Sequence, residues 1–86
     1  MPYYMLQATY SAQAWSGMVK SPQNRLDAVR PVVEKLGGTI EGGWLAFGEY
    51  DIVLVCQLPD NVSAAAFSMA ASAGGAVTAV KTTPLM

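Results

Sequence analysis

Histidine is absent from the 86 residues, and cysteine occurs once, as Cys56. Without histidine, the chain lacks the usual general base near neutral pH and the commonest metal and haem ligand. A single thiol excludes an internal disulfide and a thiolate zinc site within one chain, and no Ser-His-Asp triad can form. We therefore expect no metal ion and no other cofactor, and we interpret Cys56 as a small apolar core residue.

Charged side chains are also scarce, at 13% of the residues, against about 25% in a typical globular protein. The net charge is −1 and the five basic residues are scattered, which argues against a nucleic-acid groove, because such a groove needs a basic stripe. Hydrophobic residues make up 52% of the chain. The shortage of charge indicates that another subunit covers part of the apolar surface.

The opening residues carry no targeting signal, because Met1 and Pro2 lead directly into an alternating, strand-like segment. No stretch offers the roughly 20 apolar residues that a membrane-spanning helix requires. We therefore expect a cytoplasmic protein that binds neither membrane nor nucleic acid. The length predicts one domain over residues 1–86.

Hydrophobic periodicity predicts the order strand, helix, strand, strand, helix, strand. The strands are expected at Tyr3–Tyr10, Thr39–Phe47, Asp51–Leu58 and Ala76–Thr82. A short helical segment in Ser11–Lys20 precedes a long helix that begins at Ser21-Pro22 and ends at Gly37-Gly38. A second long helix begins after Asp60 and ends at Gly74-Gly75.

Several local features carry structural predictions. Pro31 removes the hydrogen bond to the carbonyl of Asp27, which predicts a kink in the first long helix or its division into two. Gly42-Gly43 predicts a bulge, and Gly48-Glu49 predicts a two-residue hairpin turn. On the last helix, the buried stripe is expected to be Val62, Ala65, Ala66, Met69 and Ala73, widened by Phe67 and Ala70.

The element order is the ferredoxin-like βαββαβ pattern of an α+β fold, with a four-stranded antiparallel sheet and the helices on one face. Both faces of the predicted strand Asp51–Leu58 are apolar, because one face carries Ile52, Leu54, Cys56 and Leu58 and the other carries Val53 and Val55. A solvated sheet face is normally polar. We therefore expect a second copy of the chain to cover the face of Val53 and Val55, giving a dimeric α+β barrel.

The segment Gly48-Glu49-Tyr50-Asp51 followed by Ile52-Val53 resembles the signature of the GYD-domain family, small bacterial proteins named for this cluster. Three further segments are similar in kind and in order: Ser21-Pro22 with Arg25-Leu26, Glu34-Lys35-Leu36-Gly37-Gly38, and Asp60 with Ala64-Ala65-Ala66-Phe67. The resemblance spans nearly the whole chain and departs from the expected pattern at Pro31. It implies a ferredoxin-like, dimeric α+β-barrel type of fold, and it implies no activity.

The acid–base candidates are Glu41, Glu49, Asp51, Tyr3, Tyr4, Tyr10 and Tyr50. Tyr50-Asp51 is the best cluster, because a hairpin would hold it at the start of an apolar strand. A partly buried Asp51 would have a raised pKa and act as a catalytic base beside Tyr50. The alternative is structural: Asp51 caps backbone amides at the turn, and Tyr50 packs across the hairpin or in a subunit contact.

Three functions remain open. The first is a homo-oligomeric module that binds a small apolar or aromatic ligand on the sheet faces or between helices and sheet. Its contacts would be Tyr50, Asp51, Trp44, Tyr3, Tyr10 and Glu49. The second is a cofactor-free isomerase or monooxygenase of the dimeric α+β-barrel kind that uses Asp51 or Tyr50, and the third is a purely structural assembly subunit. We predict the first. A cavity of ~300 Å³ or more beside Tyr50 and Asp51 would favour the first two functions, and a solid core there would favour assembly only.

Overall fold

The computed structural model describes residues 1–20 and 25–86. In chain order its elements are β1 (Tyr3–Tyr10), α1 (Ala12–Lys20), α2 (Arg25–Lys35), β2 (Thr39–Leu45), β3 (Ile52–Gln57), α3 (Asn61–Ala73) and β4 (Val77–Leu85). The helix start predicted at Ser21-Pro22 lies outside the described residues. None of the helices within these ranges is long and apolar enough to cross a membrane.

The four strands form one sheet in the order β2-β3-β1-β4, and every neighbouring pair is antiparallel. β1 and β3 occupy the centre, and Leu6 lies opposite Leu54 in their shared register. α2 precedes β2 and α3 precedes β4, so the chain has the predicted α+β, ferredoxin-like architecture. The short helix predicted in Ser11–Lys20 is also present, as α1.

One face of the sheet carries the core, because alternate residues of each strand point towards it. Its buried side chains are Tyr4, Leu6, Tyr10, Ile40, Ile52, Leu54, Cys56 and Leu58, packed with Val33, Ala64 and Phe67 from the helices. Val53 and Val55 alternate with these residues and are only half-buried, as predicted. We call their side of the sheet the open face; Met5 and Gln7 lie directly opposite them in β1.

α3 begins after Asp60, as predicted, because the Asp60 carboxylate accepts a 2.8 Å hydrogen bond from the backbone N–H of Ser63. This bond satisfies one of the amides that the first turn of a helix leaves without a partner. It also holds the pKa of Asp60 below its ordinary value. At the other end, the N–H of Gly74 donates to the carbonyl of Ala70 and closes the helix.

The stripe predicted to be buried on α3 is wrong except for Phe67. Val62 and Met69 are 77% and 72% exposed, whereas Ala64 and Phe67 are buried. Both sets recur at helical spacing, because no residue of α3 is charged and apolar residues surround its axis. Phe67 is the largest apolar side chain on the helix, so turning its ring inward removes the most apolar area from water. Ser68 turns inward with it, and its hydroxyl donates to the carbonyl of Ala64.

α2 continues through Pro31, so the division into two helices does not occur. Pro31 has no N–H to donate, and the carbonyl of Asp27 loses its usual helical partner. Both residues are exposed, so water can bind the freed carbonyl. The exposed position therefore tolerates a proline that a buried helix interior would not.

The connection between β2 and β3 is wider than the predicted two-residue turn at Gly48-Glu49. The last pair of their ladder is Leu45 opposite Ile52. One further backbone hydrogen bond, of 2.8 Å, runs from the N–H of Ala46 to the carbonyl of Asp51. Gly48 has a φ of 99° in the loop between them, a conformation that residues with a side chain rarely adopt.

The bulge predicted at Gly42-Gly43 lies just before these glycines. Ile40 pairs with Cys56 and Gly42 pairs with Val55, which leaves Glu41 as the extra residue. At the opposite edge of the sheet, β4 extends beyond its predicted end and includes a proline. An edge strand tolerates proline, because its outward amides need no partner strand.

Two glycines allow α2 and its C-terminal turn to lie close to the sheet. A Cβ atom at Gly38 would meet the carbonyl oxygen of Gln57 at 2.3 Å, and one at Gly43 would meet Leu26 at 2.4 Å. Neither glycine has a positive φ, so space, and not backbone conformation, requires glycine at both positions.

Candidate functional site

An apolar cleft of about 110 Å³ lies between the sheet and the two long helices. Its lining comprises Leu6, Ala8 and Tyr10 of β1, Ile52 and Leu54 of β3, Val29 of α2, Phe67 and Ala71 of α3, and Ala76, Val77 and Val80 at or near β4. Among these described lining residues, the phenol of Tyr10 is the only polar side-chain group. The cleft therefore offers contact to hydrocarbon groups and almost no polar recognition.

Small side chains create the space in the cleft. Ala8, Ala71 and Ala76 stand on three different walls of the cleft, where larger apolar residues would fill it. Close packing is the rule in protein interiors, and empty space costs contact energy. Phe67 and Tyr10 project into the same region and leave a gap of less than the volume of one large side chain.

Tyr10, the last residue of β1, lines the cleft and contacts Trp15 and Asp51. Its ring, which is 6% exposed, meets the ring of Trp15 edge to face, with 5.4 Å between centroids and an interplanar angle of 90°. That geometry is a favourable one for an aromatic pair. Trp15 belongs to α1, so the Tyr10–Trp15 contact fixes α1 against this end of the cleft.

Asp51 holds Tyr10 from the other side. Its carboxylate accepts a 2.9 Å hydrogen bond from the backbone N–H of Tyr10, and its own N–H donates to the carbonyl of Ala8 at 2.8 Å. These bonds extend the β1–β3 pairing beyond the last regular pair, Ala8 with Ile52. Asp51 thus binds a backbone amide of β1, whereas its structural interpretation placed the capped amides at the turn. A catalytic role for Asp51 stays a prediction.

The remaining candidates of the loop lie around Asp51 without entering the cleft. Tyr50 is half-buried and Glu49 is exposed. The carbonyl of Glu49 accepts a 2.7 Å hydrogen bond from the hydroxyl of Thr9, so the backbone of Glu49, and not its carboxylate, is engaged. A cavity of ~300 Å³ or more beside Tyr50 and Asp51 would favour ligand binding or catalysis; the cleft has about 110 Å³, and neither Tyr50 nor Asp51 lines it.

Trp44 and Tyr3 lie on the open face, away from the cleft. Trp44 pairs with Val53, and Tyr3 pairs with Gln57, which places both with the outward side chains of β3. They are 60% and 44% exposed. The Trp44 ring lies over Gly42, since a Cβ at Gly42 would meet that ring at 3.0 Å. The six predicted site residues therefore fall into two separate groups.

A second, more polar depression of about 290 Å³ adjoins the Tyr10 end of the cleft. We call it the hollow, and its lining comprises Ser11, Gln13, Ala14, Gly74, Gly75 and Ala76. Ala76 borders both the cleft and the hollow. A 2.9 Å hydrogen bond from the N–H of Ser11 to the carbonyl of Ala76 forms the strip of backbone between them.

Titratable chemistry is sparse in this region. Burial raises the pKa of the Cys56 thiol to about 11, so at neutral pH the thiol is protonated and a weak nucleophile. Within residues 1–20 and 25–86, no three acidic or cysteine side chains come together in a way that could hold a metal ion.

The cleft was not identified residue by residue from the sequence. The sequence placed Tyr10 among the ligand contacts, and Tyr10 does line the cleft. Phe67 and Val29 were assigned to helix packing alone, and Ala71 was not singled out. The feature that could have indicated a cleft was alanine at inward-facing positions of strands and helices. A sequence shows that such side chains are small, but it does not show whether neighbouring segments fill the space beside them.

The comparisons with known proteins concern family and fold. The family model described as GYD domain matches residues 4–86. The chain is similar in structure to FFRP-DM1, with a TM-score of 0.62 and 10% identity over 100% of both chains. It is also similar to the hypothetical protein PHS023 from Pyrococcus horikoshii, with a TM-score of 0.61 and 10% identity over 100% of this chain and 90% of that one. At this identity the likeness concerns the fold alone. No curated protein is significantly similar in sequence.

Proposed function

The chain belongs to the GYD-domain family, and within that family we propose that it is a self-associating module that binds a small apolar ligand in the cleft. The cleft itself is the observation that carries this proposal. It lies on the helix-covered face of the sheet, with Val29 of α2 and Phe67 and Ala71 of α3 in its lining, where protein interiors are normally close-packed.

The size and lining of the cleft favour one ring or a short hydrocarbon chain. An apolar cavity of about 150 Å³ lined by Leu, Ile and Phe accepts benzene, and this cleft has about 110 Å³. A small outward movement of Ala71 or Phe67 would make the two volumes equal. The apolar lining gives such a ligand dispersion contacts in place of water, which is the main source of affinity for hydrocarbons.

The open face supports self-association. Val53, Val55 and Met5 are only half-buried there, beside the exposed Trp44. Such a surface is costly in water unless a partner covers it. Two charged residues lie on the outer strands, Glu41 on β2 and Lys81 on β4, where Lys81 is opposite Gln7 of β1. Their charges are opposite and stand at opposite edges, so a two-fold axis can bring each lysine near the partner's glutamate, as an isologous interface requires.

Ligand binding is tested by filling the cleft. Ala71→Leu adds three carbon atoms to its wall and should abolish the NMR shift changes that toluene produces in the wild-type chain. The variant should be as stable as the wild type or more stable, by ~0.5–2 kcal/mol, because filling a cavity restores packing. Ala66→Leu makes the same change on the exposed side of α3 and should bind toluene normally.

The alternative outcomes for ligand binding are distinct. If Ala71→Leu fails to fold, Ala76→Val fills the same cleft with a smaller addition. No shift changes in the wild-type chain at toluene concentrations near its aqueous solubility would refute the ligand-binding proposal. Equal toluene binding by the wild type and both cleft variants would place the ligand elsewhere and would refute it as well.

Self-association is tested by charge on the open face. Val55→Lys should dissociate the oligomer, because each copy would bury an unpaired ammonium group in the interface. Val62→Lys introduces the same side chain at an exposed position of α3 and should leave the oligomer intact. Sedimentation velocity at micromolar concentration distinguishes the two; a wild-type chain that sediments as a monomer would contradict this part of the proposal.

A further inference from the structure

The cleft and the hollow are neighbours with different chemistry. They share Ala76, and the consecutive residues Tyr10 and Ser11 line one each. The cleft is apolar except for one phenol. The hollow presents the hydroxyl of Ser11, the side-chain amide of Gln13 and the glycine backbone that follows α3. A molecule with a hydrocarbon end and a polar end would match this arrangement in order.

The polar groups of the hollow differ in what they can still bind. The hydroxyl of Ser11 accepts a 3.1 Å hydrogen bond from the N–H of Ala14. The N–H groups of Gly74 and Gly75 donate to carbonyls within the last turn of α3. Gln13 is exposed in the first turn of α1, and its amide can both donate and accept. Gln13 is therefore the group best placed to recognise a ligand.

Among the residues that the structure describes, those that line the cleft and the hollow carry no charged side chain. A charged group that leaves water needs a counter-ion or several hydrogen bonds to offset its lost hydration. The described residues of the two linings offer no counter-ion. An uncharged polar group, such as a hydroxyl or a carboxamide, needs only one or two hydrogen-bonding partners, which Gln13 supplies.

We propose that the cleft and the hollow together bind one uncharged amphipathic molecule, with a single ring or short chain in the cleft and a hydroxyl or amide beside Gln13. This inference rests on the proposed function and names its ligand class. Trp15 follows Ala14 of the hollow in sequence, and its ring contacts Tyr10 of the cleft. Its fluorescence therefore reports a ligand that spans both.

The role of α1 follows from the same geometry. No residue of α1 is buried, and Ala14 and Met18 pack only partly against the core. The Ser11–Ala76 backbone hydrogen bond lies between the cleft and the hollow. A small displacement of α1 at Ser11 would break this bond, separate Trp15 from Tyr10 and open a passage between the two spaces. We expect the ligand to enter there, and the Tyr10–Trp15 contact to close again over its hydrocarbon part.

The test compares three ligands that share one ring: toluene, 2-phenylethanol and phenylacetate. Trp44→Phe leaves Trp15 as the single tryptophan. The change in Trp15 emission as each ligand is added gives the affinity of that ligand. NMR on the wild-type chain is the second readout. 2-Phenylethanol should bind roughly five times as tightly as toluene, the value of about one net hydrogen bond. Phenylacetate should bind at least tenfold more weakly than 2-phenylethanol, because its carboxylate has no counter-ion.

Two variants in α1 assign the polar contact. Gln13→Ala should reduce the affinity for 2-phenylethanol to that for toluene and leave toluene binding unchanged. Ser16→Ala, an exposed substitution in the same helix outside the hollow, should change neither. Two results would overturn this inference and leave the proposed function standing. In the first, toluene binds and 2-phenylethanol binds no more tightly. In the second, 2-phenylethanol binds more tightly than toluene even in Gln13→Ala. No binding of any of the three would overturn both.

Discussion

Replacing Gly38 with alanine should be among the most damaging single-atom additions to this protein. Gly38 lies between α2 and β2, and a Cβ at this position would be 2.3 Å from the carbonyl oxygen of Gln57 and 2.6 Å from a methyl group of Leu58. The nearest atom belongs to the β3 backbone and not to the mobile end of a side chain. Removing this steric overlap therefore requires movement of a whole strand or of the turn between α2 and β2.

The magnitude follows from these distances. Ordinary contact begins at 3.4 Å, so the two segments must separate by the difference between 3.4 and 2.3 Å, which is 1.1 Å. Thr39 is paired with Gln57 next to this point, so the separation also disrupts the start of the β2–β3 ladder. Overpacking in a core costs ~1–3 kcal/mol when side chains can adjust. Because a backbone must move here, we expect a loss of about 3 kcal/mol or more.

The assay is urea unfolding at one fixed chain concentration, followed by circular dichroism, since an associating protein is more stable at higher concentration. Gly17→Ala is the matched control. Gly17 is in α1 with nothing within 4 Å of a Cβ, so alanine should stabilise the chain by ~0.5–1 kcal/mol through helix propensity. Gly43→Ala should fall between the two, because the atoms it meets are the methyl ends of Leu26 and Leu54.

The result that would refute this reasoning is specific. A Gly38→Ala variant within ~0.5 kcal/mol of the wild type would mean that α2 does not approach the sheet as closely as the geometry requires. A Gly43→Ala variant less stable than Gly38→Ala would mean that side-chain contacts, and not the contact with the β3 backbone, limit the approach.

Three further predictions concern single polar groups. Asp60→Ala should lower the urea midpoint at pH 7 by removing the cap on Ser63. Hydrogen bonding lowers the pKa of Asp60 in the fold, so the stability that Asp60 contributes is present above pH ~4 and lost as the pH falls below it. The urea midpoints of the two proteins should therefore converge in acid. Burial raises the pKa of Cys56 from 9.0 to about 11, so the protonated thiol favours the folded state below pH 9, and this contribution is lost as the pH rises towards 11. The stability difference between wild type and Cys56→Ala should therefore shrink over that range. A constant difference would contradict the burial of the thiol. Tyr4→Phe removes a 2.7 Å hydrogen bond from the buried Tyr4 hydroxyl to Asn61 and should cost about 1 kcal/mol; a double-mutant cycle with Asn61→Ala should be non-additive, and additivity would show that the bond contributes nothing.

The strand predictions succeeded where the hydrophobic pattern had one interpretation. Ile52, Leu54 and Cys56 alternate with Val53 and Val55, and period two places these sets on opposite faces whatever surrounds the strand. The β3 assignment was therefore correct, together with the apolar character of the open face. α3 differs, because two apolar stripes have the same period. The structure buries Ala64 and Phe67 and leaves Val62 and Met69 exposed, a choice that depends on what the helix packs against and not on its own period.

The site predictions were limited in the same way. Tyr10 and Asp51 are 41 residues apart in the chain, and the hydrogen bond that joins them depends on the register between β1 and β3. Tyr50 and Asp51 are neighbours in sequence, yet the Asp51 carboxylate turns to the amide of Tyr10. A sequence pattern indicates which residues can form such bonds, and only the register decides which of them meet.

The sequence by itself determined the element order, the two apolar faces of the central strand, the cap at Asp60 and the absence of histidine chemistry, because each depends on residue type and local spacing. The tertiary structure alone decided which side of α3 is buried, that Gly38 and Gly43 must be glycine, and that Ala8, Ala71 and Ala76 leave a cleft beside Tyr10. The physical reason is that excluded volume and empty volume arise between segments distant in the chain, where no local pattern records how closely their backbones approach.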